Sequence, residues 1–162
     1  MRILFIKLGA IGDIIQSAVA LSEYRARFPG ATIDWITGVG MESLVAATGV
    51  ADRVIAVDEA AMVLGPLPRR IYALARSMAS VASKCSGKYD AILTGYLDRR
   101  SEVLTWGVRG RARRCLGDRD GRRPGYLLTR NRVHEYWRLL TLQDSESIDI
   151  AAATSALGSN CL

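Results

Sequence analysis

The residues whose types and spacing could do chemistry lie near the start of the chain, in a turn bracketed by two glycines. Gly9, Ala10, Ile11, Gly12 and Asp13 directly follow an apolar run. The glycines let the backbone turn tightly and approach a ligand, and Asp13 falls in the first turn of the helix expected next. Asp is also a favoured helix-capping residue, so capping alone is the competing role for Asp13.

The elements that would position this turn follow an alternating pattern of strands and helices. Ile3 to Ile6 is an unbroken apolar run, which is typical of a parallel strand buried on both faces and predicts a central first strand. Further strands are predicted at residues 32–37, 53–57 and 89–93. This pattern predicts an α/β fold, a Rossmann-like three-layer α/β/α domain with a mostly parallel sheet. Asp13 would then lie at the carboxyl edge of that sheet, where ligands bind.

Helices are predicted between and after these strands. The first should span Ile14 to Phe28, and a second should begin near Arg69, because prolines 66 and 68 exclude the preceding loop from a helix. Its apolar positions recur at helical spacing and are predicted to be core: Ile71, Leu74, Ala75, Met78 and Val81 or Ala82. A closing helix is predicted from Val133 to Leu142, with Trp137 and Leu140 inward. Short strands are also predicted at 113–116 and 125–128.

An excess of arginine marks the second candidate region. Between Arg99 and Arg132 the chain has eleven arginines and three acids, whereas the rest of the chain is slightly acidic. Such a block can be a solvated face, a nucleic-acid site, or a surface for anionic lipid and phosphate. Single-strand nucleic-acid sites interleave aromatic residues with the cations, and only Trp106 and Tyr126 do so here. Nucleic acid is therefore the least favoured partner.

Composition limits the remaining classes of function. Apolar residues make up 49% of the 162 residues and charged residues 23%, an ordinary globular balance for one domain. The three cysteines are far apart and His134 is the only histidine, so no metal site is expected. The same cysteine spacing predicts a protein of the reducing cytoplasm. Gly38-Val39-Gly40 lacks the third glycine of a dinucleotide fingerprint, so no nicotinamide cofactor is predicted.

The segment ILFIKLGAIGDII resembles the opening of the family-nine glycosyltransferases, which include the lipopolysaccharide heptosyltransferases. Residues 31–38, 51–58 and 88–93 are similar to the second, third and fourth strands of that family, and residues 134–140 to its late helix. The likeness spans roughly residues 1–142. It implies that residues 1–144 form the amino-terminal, acceptor-side domain of a GT-B glycosyltransferase. Residues 145–162 are expected to be an irregular tail, with the carboxyl-terminal donor-binding domain absent.

The resemblance also implies site residues and a reaction. Asp13 matches the aspartate that is the proposed general base of the family, and the turn from Gly9 to Gly12 would line the substrate. Arg100-Ser101 stands where the family commonly has Lys-Ser, and Arg99, Arg100 and Ser101 are therefore expected to bind the acceptor. The Gln-Gly that commonly precedes Lys-Ser in the family is missing from this chain. The reaction implied is transfer of a heptose or related sugar from a nucleotide-activated donor to the lipopolysaccharide core.

The partners and location follow from the same resemblance. ADP-heptose would be a substrate rather than a cofactor, no metal would be bound, and the acceptor would be an anionic glycolipid. The protein is expected in the cytoplasm, with peripheral contact at the inner membrane. The isolated chain is expected to be inactive without a donor domain. The alternative is a non-catalytic, truncated binding module for anionic glycolipid or nucleic acid.

Overall fold

The computed structural model describes residues 1–96, 100–116, 131–141 and 148–160. A five-stranded sheet forms its centre, in the order β3-β2-β1-β4-β5, and every neighbouring pair is parallel. The strands are β1 (Arg2–Ile6), β2 (Thr32–Gly38), β3 (Arg53–Val57), β4 (Lys88–Thr94) and β5 (Arg109–Cys115). The predicted α/β fold with a parallel sheet and a central first strand is confirmed.

Helices cover both faces of the sheet. They are α1 (Ile11–Arg27), α2 (Glu42–Ala47), α3 (Glu59–Val63), α4 (Leu67–Lys84), α5 (Arg132–Thr141) and α6 (Ile150–Asn160), with 3₁₀ helices at Val39–Met41 and Arg100–Thr105. Ile3 and Phe5 of β1 pack in a cluster with α1, α5 and α6, whereas Leu4 and Ile6 pack in a second cluster with Val81 of α4. Successive strand residues point to opposite faces, so the unbroken apolar run of β1 serves both layers.

Three parts of the helical prediction needed correction. Helix α1 begins at Ile11, three residues before the predicted Ile14, and the short helix α3 was not predicted. The carboxylate of Asp58 caps α3 by accepting the Ala61 N–H at 2.9 Å. Helix α4 begins at Leu67 and contains Pro68, because the first turn of a helix has N–H groups without internal partners and so tolerates proline.

The core prediction for α4 was wrong at several positions. Of its 18 residues only Ser77 and Val81 are buried, and the side chain of Ile71 is 58% exposed. Ala75 is also exposed, whereas Leu74 packs partly against the core. The last predicted position, Val81 or Ala82, is confirmed at Val81, which is buried. Periodicity identified an apolar face but could not tell whether the sheet covers it.

The end of the described chain is helical, which contradicts the predicted irregular tail. The Asp149 carboxylate accepts the N–H groups of Ala151 and Ala152 at 3.0 and 3.1 Å and so caps α6. The alanine-rich sequence favours a helix, and Ala153 and Leu157 are buried against the cluster around α1. In contrast, the closing helix was predicted correctly, with Trp137 and Leu140 buried. The strand predicted at 125–128 lies outside the described residues.

A buried carboxylate ties the amino ends of the strands together. Asp34 of β2 accepts hydrogen bonds from Arg2 at 3.0 Å and from Arg53 at 2.6 Å, and a third from the Tyr89 hydroxyl. Burial raises the pKa of Asp34, but the hydrogen bonds from Tyr89, Arg53 and Arg2 outweigh it and hold the pKa below its ordinary value. The amino edge of the sheet lies opposite the candidate site, and the role of this cluster is structural.

In the part of the chain that the structure describes, no helix is both long and apolar enough to cross a membrane.

Candidate active site

The candidate site lies where the strand order of the sheet reverses. The chain runs outward from β1 to β2 and β3, then crosses back to place β4 on the other side of β1. In open α/β sheets ligands bind at such a switch point, in the crevice at the carboxyl ends of the strands. Asp13 stands there, in the first turn of α1 directly after β1.

Lys7 and Asp13 form an ion pair at this point. The Lys7 Nζ lies 2.7 Å from Oδ2 of Asp13, and the Lys7 side chain is only 5% exposed, against 32% for Asp13. The ammonium also lies 4.0 Å from the centre of the Tyr96 ring. The cation is thus enclosed by a carboxylate and an aromatic face, while part of the carboxylate remains open to solvent. An incoming hydroxyl group can reach it.

Tyr96 joins the two loops that flank the switch point. Its hydroxyl accepts hydrogen bonds from the N–H groups of Leu8 and Gly9, at 3.0 and 3.3 Å, although Tyr96 itself follows β4. Burial raises the pKa of Tyr96, and the nearby carboxylates of Glu59 and Asp13 act in the same direction. The phenol therefore stays neutral and fixes the turn after β1.

The structure places the two glycines of the turn in different surroundings. A Cβ at Gly9 would lie 3.0 Å from Oε2 of Glu59, whereas a Cβ at Gly12 would meet nothing within 4 Å. Neither has a positive φ, and the left-handed residue is Ala10, with φ 64°. The expectation that the glycines supply the turn conformation is therefore wrong. Gly9 permits close packing, and Gly12 leaves open space beside the carboxylate.

The capping role does not describe Asp13 in this structure. The N-cap position of α1 is Ala10, and no side-chain hydrogen bond caps the helix. The Asp13 carboxylate is directed instead to Lys7, although it remains near the positive end of the helix dipole. Its main-chain carbonyl accepts a hydrogen bond from Ser17 Oγ at 2.7 Å, within the helix.

The floor of the site is closely packed. A Cβ at Gly95 would lie 3.2 Å from Lys7, Phe5 and Tyr136 alike, so any larger residue would force these side chains to shift by a few tenths of an ångström. Tyr136 belongs to α5, and burial raises its pKa. This packing holds the aliphatic part of the Lys7 side chain and so fixes the position of the ammonium group that contacts Asp13.

The predicted acceptor residues are only partly described. Arg99 lies outside the described residues, and Arg100 begins a 3₁₀ helix in which only its backbone is described. Ser101 follows it and is half-buried. Among the residues that the structure describes, no hydrogen bond or ion pair joins Ser101 to Asp13. The acceptor role of these three residues stays a prediction.

The arginine block divides into two structural groups where it is described. Arg113 donates to the carbonyl oxygens of Thr105 and Val108 at 2.8 and 2.7 Å, so it holds the turn before β5. Arg109, Arg111 and Arg114 are exposed on β5, at an edge of the described sheet. Charged residues on an edge strand oppose pairing with other chains. Part of the block is therefore structural.

Sequence reasoning missed three residues of the site: Lys7, Glu59 and Tyr96. The sequence could have indicated Lys7, because a cation directly after a buried apolar strand must have a partner. Nothing in the sequence indicated Glu59 or Tyr96, because their approach to the turn depends on how α3 and the loop after β4 fold back. In the described part of the chain, no cluster of three or more His, Cys, Asp or Glu side chains could hold a metal ion.

No protein-family model matches the chain, and no curated protein matches it significantly. Solved structures do match. E. coli heptosyltransferase WaaC, with ADP-2-deoxy-2-fluoro heptose, aligns over 94% of this chain and 53% of its own, with TM-score 0.69 and 19% identity. The chain shares its fold with heptosyltransferases.

Two further structures agree. A family 9 glycosyl transferase from Veillonella parvula DSM 2008 aligns over 92% of this chain and 42% of its own, with TM-score 0.64 and 19% identity. E. coli ADP-heptose lps heptosyltransferase II aligns over 86% of this chain and 40% of its own, with TM-score 0.58 and 18% identity. The chain thus spans about half the length of these proteins or less. The expected likeness to family-nine glycosyltransferases and the GT-B-like α/β fold are confirmed at the level of structure.

Proposed function

We propose that this chain is the acceptor-side domain of a glycosyltransferase that transfers a heptose or a related sugar to the lipopolysaccharide core. The observation that carries the proposal is the Asp13 carboxylate, partly exposed at the switch point and ion-paired to the buried Lys7. The fold supports it, because the similar structures include heptosyltransferase WaaC with ADP and with ADP-2-deoxy-2-fluoro heptose.

Asp13 acts as the general base. An acceptor hydroxyl attacks the anomeric carbon of the activated sugar, the bond from that carbon to the nucleotide diphosphate breaks, and Asp13 takes the hydroxyl proton. A positioned base of this kind contributes about 10² to 10⁴-fold to the rate. Lys7 fixes the carboxylate against rotation, and the open space beside Gly12 admits the acceptor.

The acceptor is an anionic glycolipid. Arg99, Arg100 and Ser101 follow β4, and β4 ends at the same edge as the Asp13 turn. A guanidinium group binds phosphate or carboxylate in a bidentate manner, which suits the phosphate-rich inner core of lipopolysaccharide. The turn from Gly9 to Gly12 lines the substrate in this proposal.

The donor is a nucleotide sugar, ADP-heptose in this proposal, and it is a substrate rather than a cofactor. A second domain, on the same or another chain, binds it, because the similar structures are about twice as long as this chain. The protein works in the cytoplasm, at the inner membrane that carries the acceptor. It uses no metal in this scheme.

The experiment compares the 162-residue chain alone with the chain joined to the carboxyl-terminal half of heptosyltransferase WaaC. Sugar transfer from ADP-heptose to a core glycolipid is measured for both. We expect negligible transfer by the lone chain and clear transfer by the joined protein, since positioning donor against acceptor removes several kcal/mol of barrier. Glycolipid binding with no transfer in either form would instead support the non-catalytic binding module.

A further inference from the structure

A groove runs between α4 and the carboxyl end of β3. Its volume is about 880 Å³, which lies within the range of about 300 to 1,000 Å³ that is usual for sites of small organic ligands. One wall belongs to α4, and the other is formed by the end of β3 and by α3. Within the described residues, its lining includes none of Gly9 to Asp13. The groove is therefore separate from the candidate active site, and we refer to it as the α4 groove.

The α4 wall of this groove is a single face of the helix. Its larger side chains recur at spacings of one, three or four residues, which places them on the same side of a helix. They are Arg69, Tyr72, Arg76, Ser77 and Ser80. This face thus combines two cations, an aromatic ring and two hydroxyl groups.

Ser77 is the buried polar residue of this face. It is 8% exposed and lines the groove, and its hydroxyl makes no hydrogen bond within the described part of the chain. Serine and threonine in helices commonly donate to a carbonyl one turn earlier, as Ser17 does to Asp13 and Thr141 to Trp137. A buried hydroxyl without a partner is costly in free energy. The Ser77 hydroxyl therefore indicates a polar ligand group in the α4 groove.

The charge of the groove favours an anion. Arg69 and Arg76 are exposed, and within the residues that the structure describes neither has an ion-pair partner. Between Glu59 and Asp90 the sequence has no acidic residue that could neutralise them. The Asp58 carboxylate, which also lines the groove, accepts a backbone N–H as the cap of α3. Guanidinium groups bind phosphate strongly, in a bidentate manner.

Tyr72 presents an aromatic face to the same ligand. It is 70% exposed, and Leu64 on the other wall is 69% exposed. Among the described residues, no aromatic ring or cation lies against the Tyr72 ring. An open aromatic face beside cations suits a planar ring that carries a phosphate, because the ring stacks while the cations bind the charge.

We propose that the α4 groove binds an organic phosphate that carries an aromatic ring, such as a nucleoside monophosphate. Arg69 and Arg76 bind the phosphate group, and Ser77 donates a hydrogen bond to it. The ring stacks on Tyr72 and contacts Leu64. The proposal does not depend on the proposed sugar transfer, because it rests on the residues of this groove and not on Asp13.

The test is isothermal titration calorimetry of the 162-residue chain with AMP. Adenosine lacks the phosphate, inorganic phosphate lacks the ring, and glucose 6-phosphate has a saturated ring in place of the planar base. We expect AMP to bind and each of the other three to bind about tenfold more weakly or less well still. Nuclear magnetic resonance locates the site, and the amide signals of α4 around Ser77 should shift as AMP is added.

Three variants test the residues of the groove. Arg69→Ala with Arg76→Ala should lower the affinity for AMP about tenfold or more, because it removes both cations. Ser77→Ala removes only the hydroxyl and should lower the affinity about tenfold, the usual effect of one hydrogen bond to a charged group. Tyr72→Ala removes the stacking surface and should also weaken binding about tenfold.

Each variant has a matched control. Arg109→Ala with Arg111→Ala makes the same change of charge on the exposed edge of β5, and Trp106→Ala removes another exposed aromatic ring. Ser83→Ala removes an α4 hydroxyl that already donates to the Ser80 carbonyl at 2.9 Å. All three should bind AMP as the wild type does. Circular dichroism checks that every variant is folded.

Several results would overturn the proposal. Absence of AMP binding by the folded chain would do so, and so would unchanged affinity in the arginine variant and in Ser77→Ala. Inorganic phosphate or glucose 6-phosphate binding as tightly as AMP would contradict stacking on Tyr72. Equal loss of affinity in the β5 variant would assign binding to net charge. Amide shifts centred on Gly9 to Asp13 would assign AMP to the candidate active site.

Discussion

The Lys7 ammonium lies 2.7 Å from the Asp13 carboxylate, and the cation is buried while the carboxylate is partly exposed. This asymmetry separates the two roles. Lys7 is enclosed by Asp13, the Tyr96 ring and the packing around Gly95, so it has no route to a substrate. Asp13 is the more exposed member of the pair, and in the proposed reaction Lys7 is its positioning residue.

Replacing Lys7 tests this division. Lys7→Met keeps the length of the side chain and removes the charge, so Asp13 loses the partner that fixes its carboxylate. In the joined enzyme we expect transfer to fall about 10 to 100-fold, mainly in kcat, because small displacements of catalytic groups have effects of this size. Lys7→Arg should recover part of the loss. Lys84→Met, at an exposed position in α4, is the control. Unchanged turnover by Lys7→Met would show that Asp13 needs no such partner.

The amino edge of the sheet gives a prediction about stability. Asp34→Asn removes a buried charge that two arginines and Tyr89 contact, so it should lower the free energy of unfolding at pH 7 by about 2 to 4 kcal/mol. Urea unfolding of both proteins, followed by circular dichroism, measures this difference. Asp90→Asn changes an exposed carboxylate on the same edge and serves as the control. It should lower the free energy of unfolding by less than Asp34→Asn does.

The same carboxylate predicts a dependence on pH. The pKa of Asp34 is lowered in the folded protein, so its contribution is present above the pKa of an unfolded aspartate, near 3.9, and is lost as pH falls through the folded pKa. Wild type should therefore lose stability more steeply than Asp34→Asn as acid is added below about pH 4. Parallel curves for the two proteins would mean that Asp34 does not link folding to protonation.

Much of this fold could be predicted from the sequence, because buried parallel strands leave unbroken apolar runs. The bounds of β3 were predicted at the observed residues, and Trp137 and Leu140 were correctly assigned to the core. The burial of α4 could not be predicted, since an apolar face such as that of Ile71 looks the same whether or not the sheet covers it. Helix α6 was missed because its cap at Asp149 follows a polar stretch.

The site was predictable in outline and not in detail. The turn after a central strand led to Asp13, because chain order alone places that turn at the carboxyl edge of the sheet. Its neighbours come from distant parts of the sequence: Tyr96 is 88 residues from the Leu8 N–H that it accepts. Such contacts depend on the order of strands, which periodicity does not fix.

The arginines that follow β4 give a prediction about acceptor binding. Arg99→Ala with Arg100→Ala should weaken binding of a phosphorylated core glycolipid, and the wild type should lose affinity as salt increases, because exposed charge interactions are screened. The binding constant is measured at low and high salt for both proteins. Arg109→Ala, on the edge strand, is the control. Indifference of binding to salt and to the double substitution would leave these arginines as solvated surface.

Asp13→Asn in the joined enzyme tests the central claim most directly. The substitution removes the base while keeping the size of the side chain and a hydrogen bond to Lys7, so the cost in stability should be about 1 to 2 kcal/mol. Asp58→Asn changes a carboxylate that does cap a helix at the same edge of the sheet, and it is the matched control. Sugar transfer from ADP-heptose is measured for each variant, together with thermal melting. We predict that Asp13→Asn lowers kcat about 10² to 10⁴-fold and that Asp58→Asn leaves it near the wild-type value. Near-normal turnover by a folded Asp13→Asn protein would contradict the assignment of Asp13 as the general base.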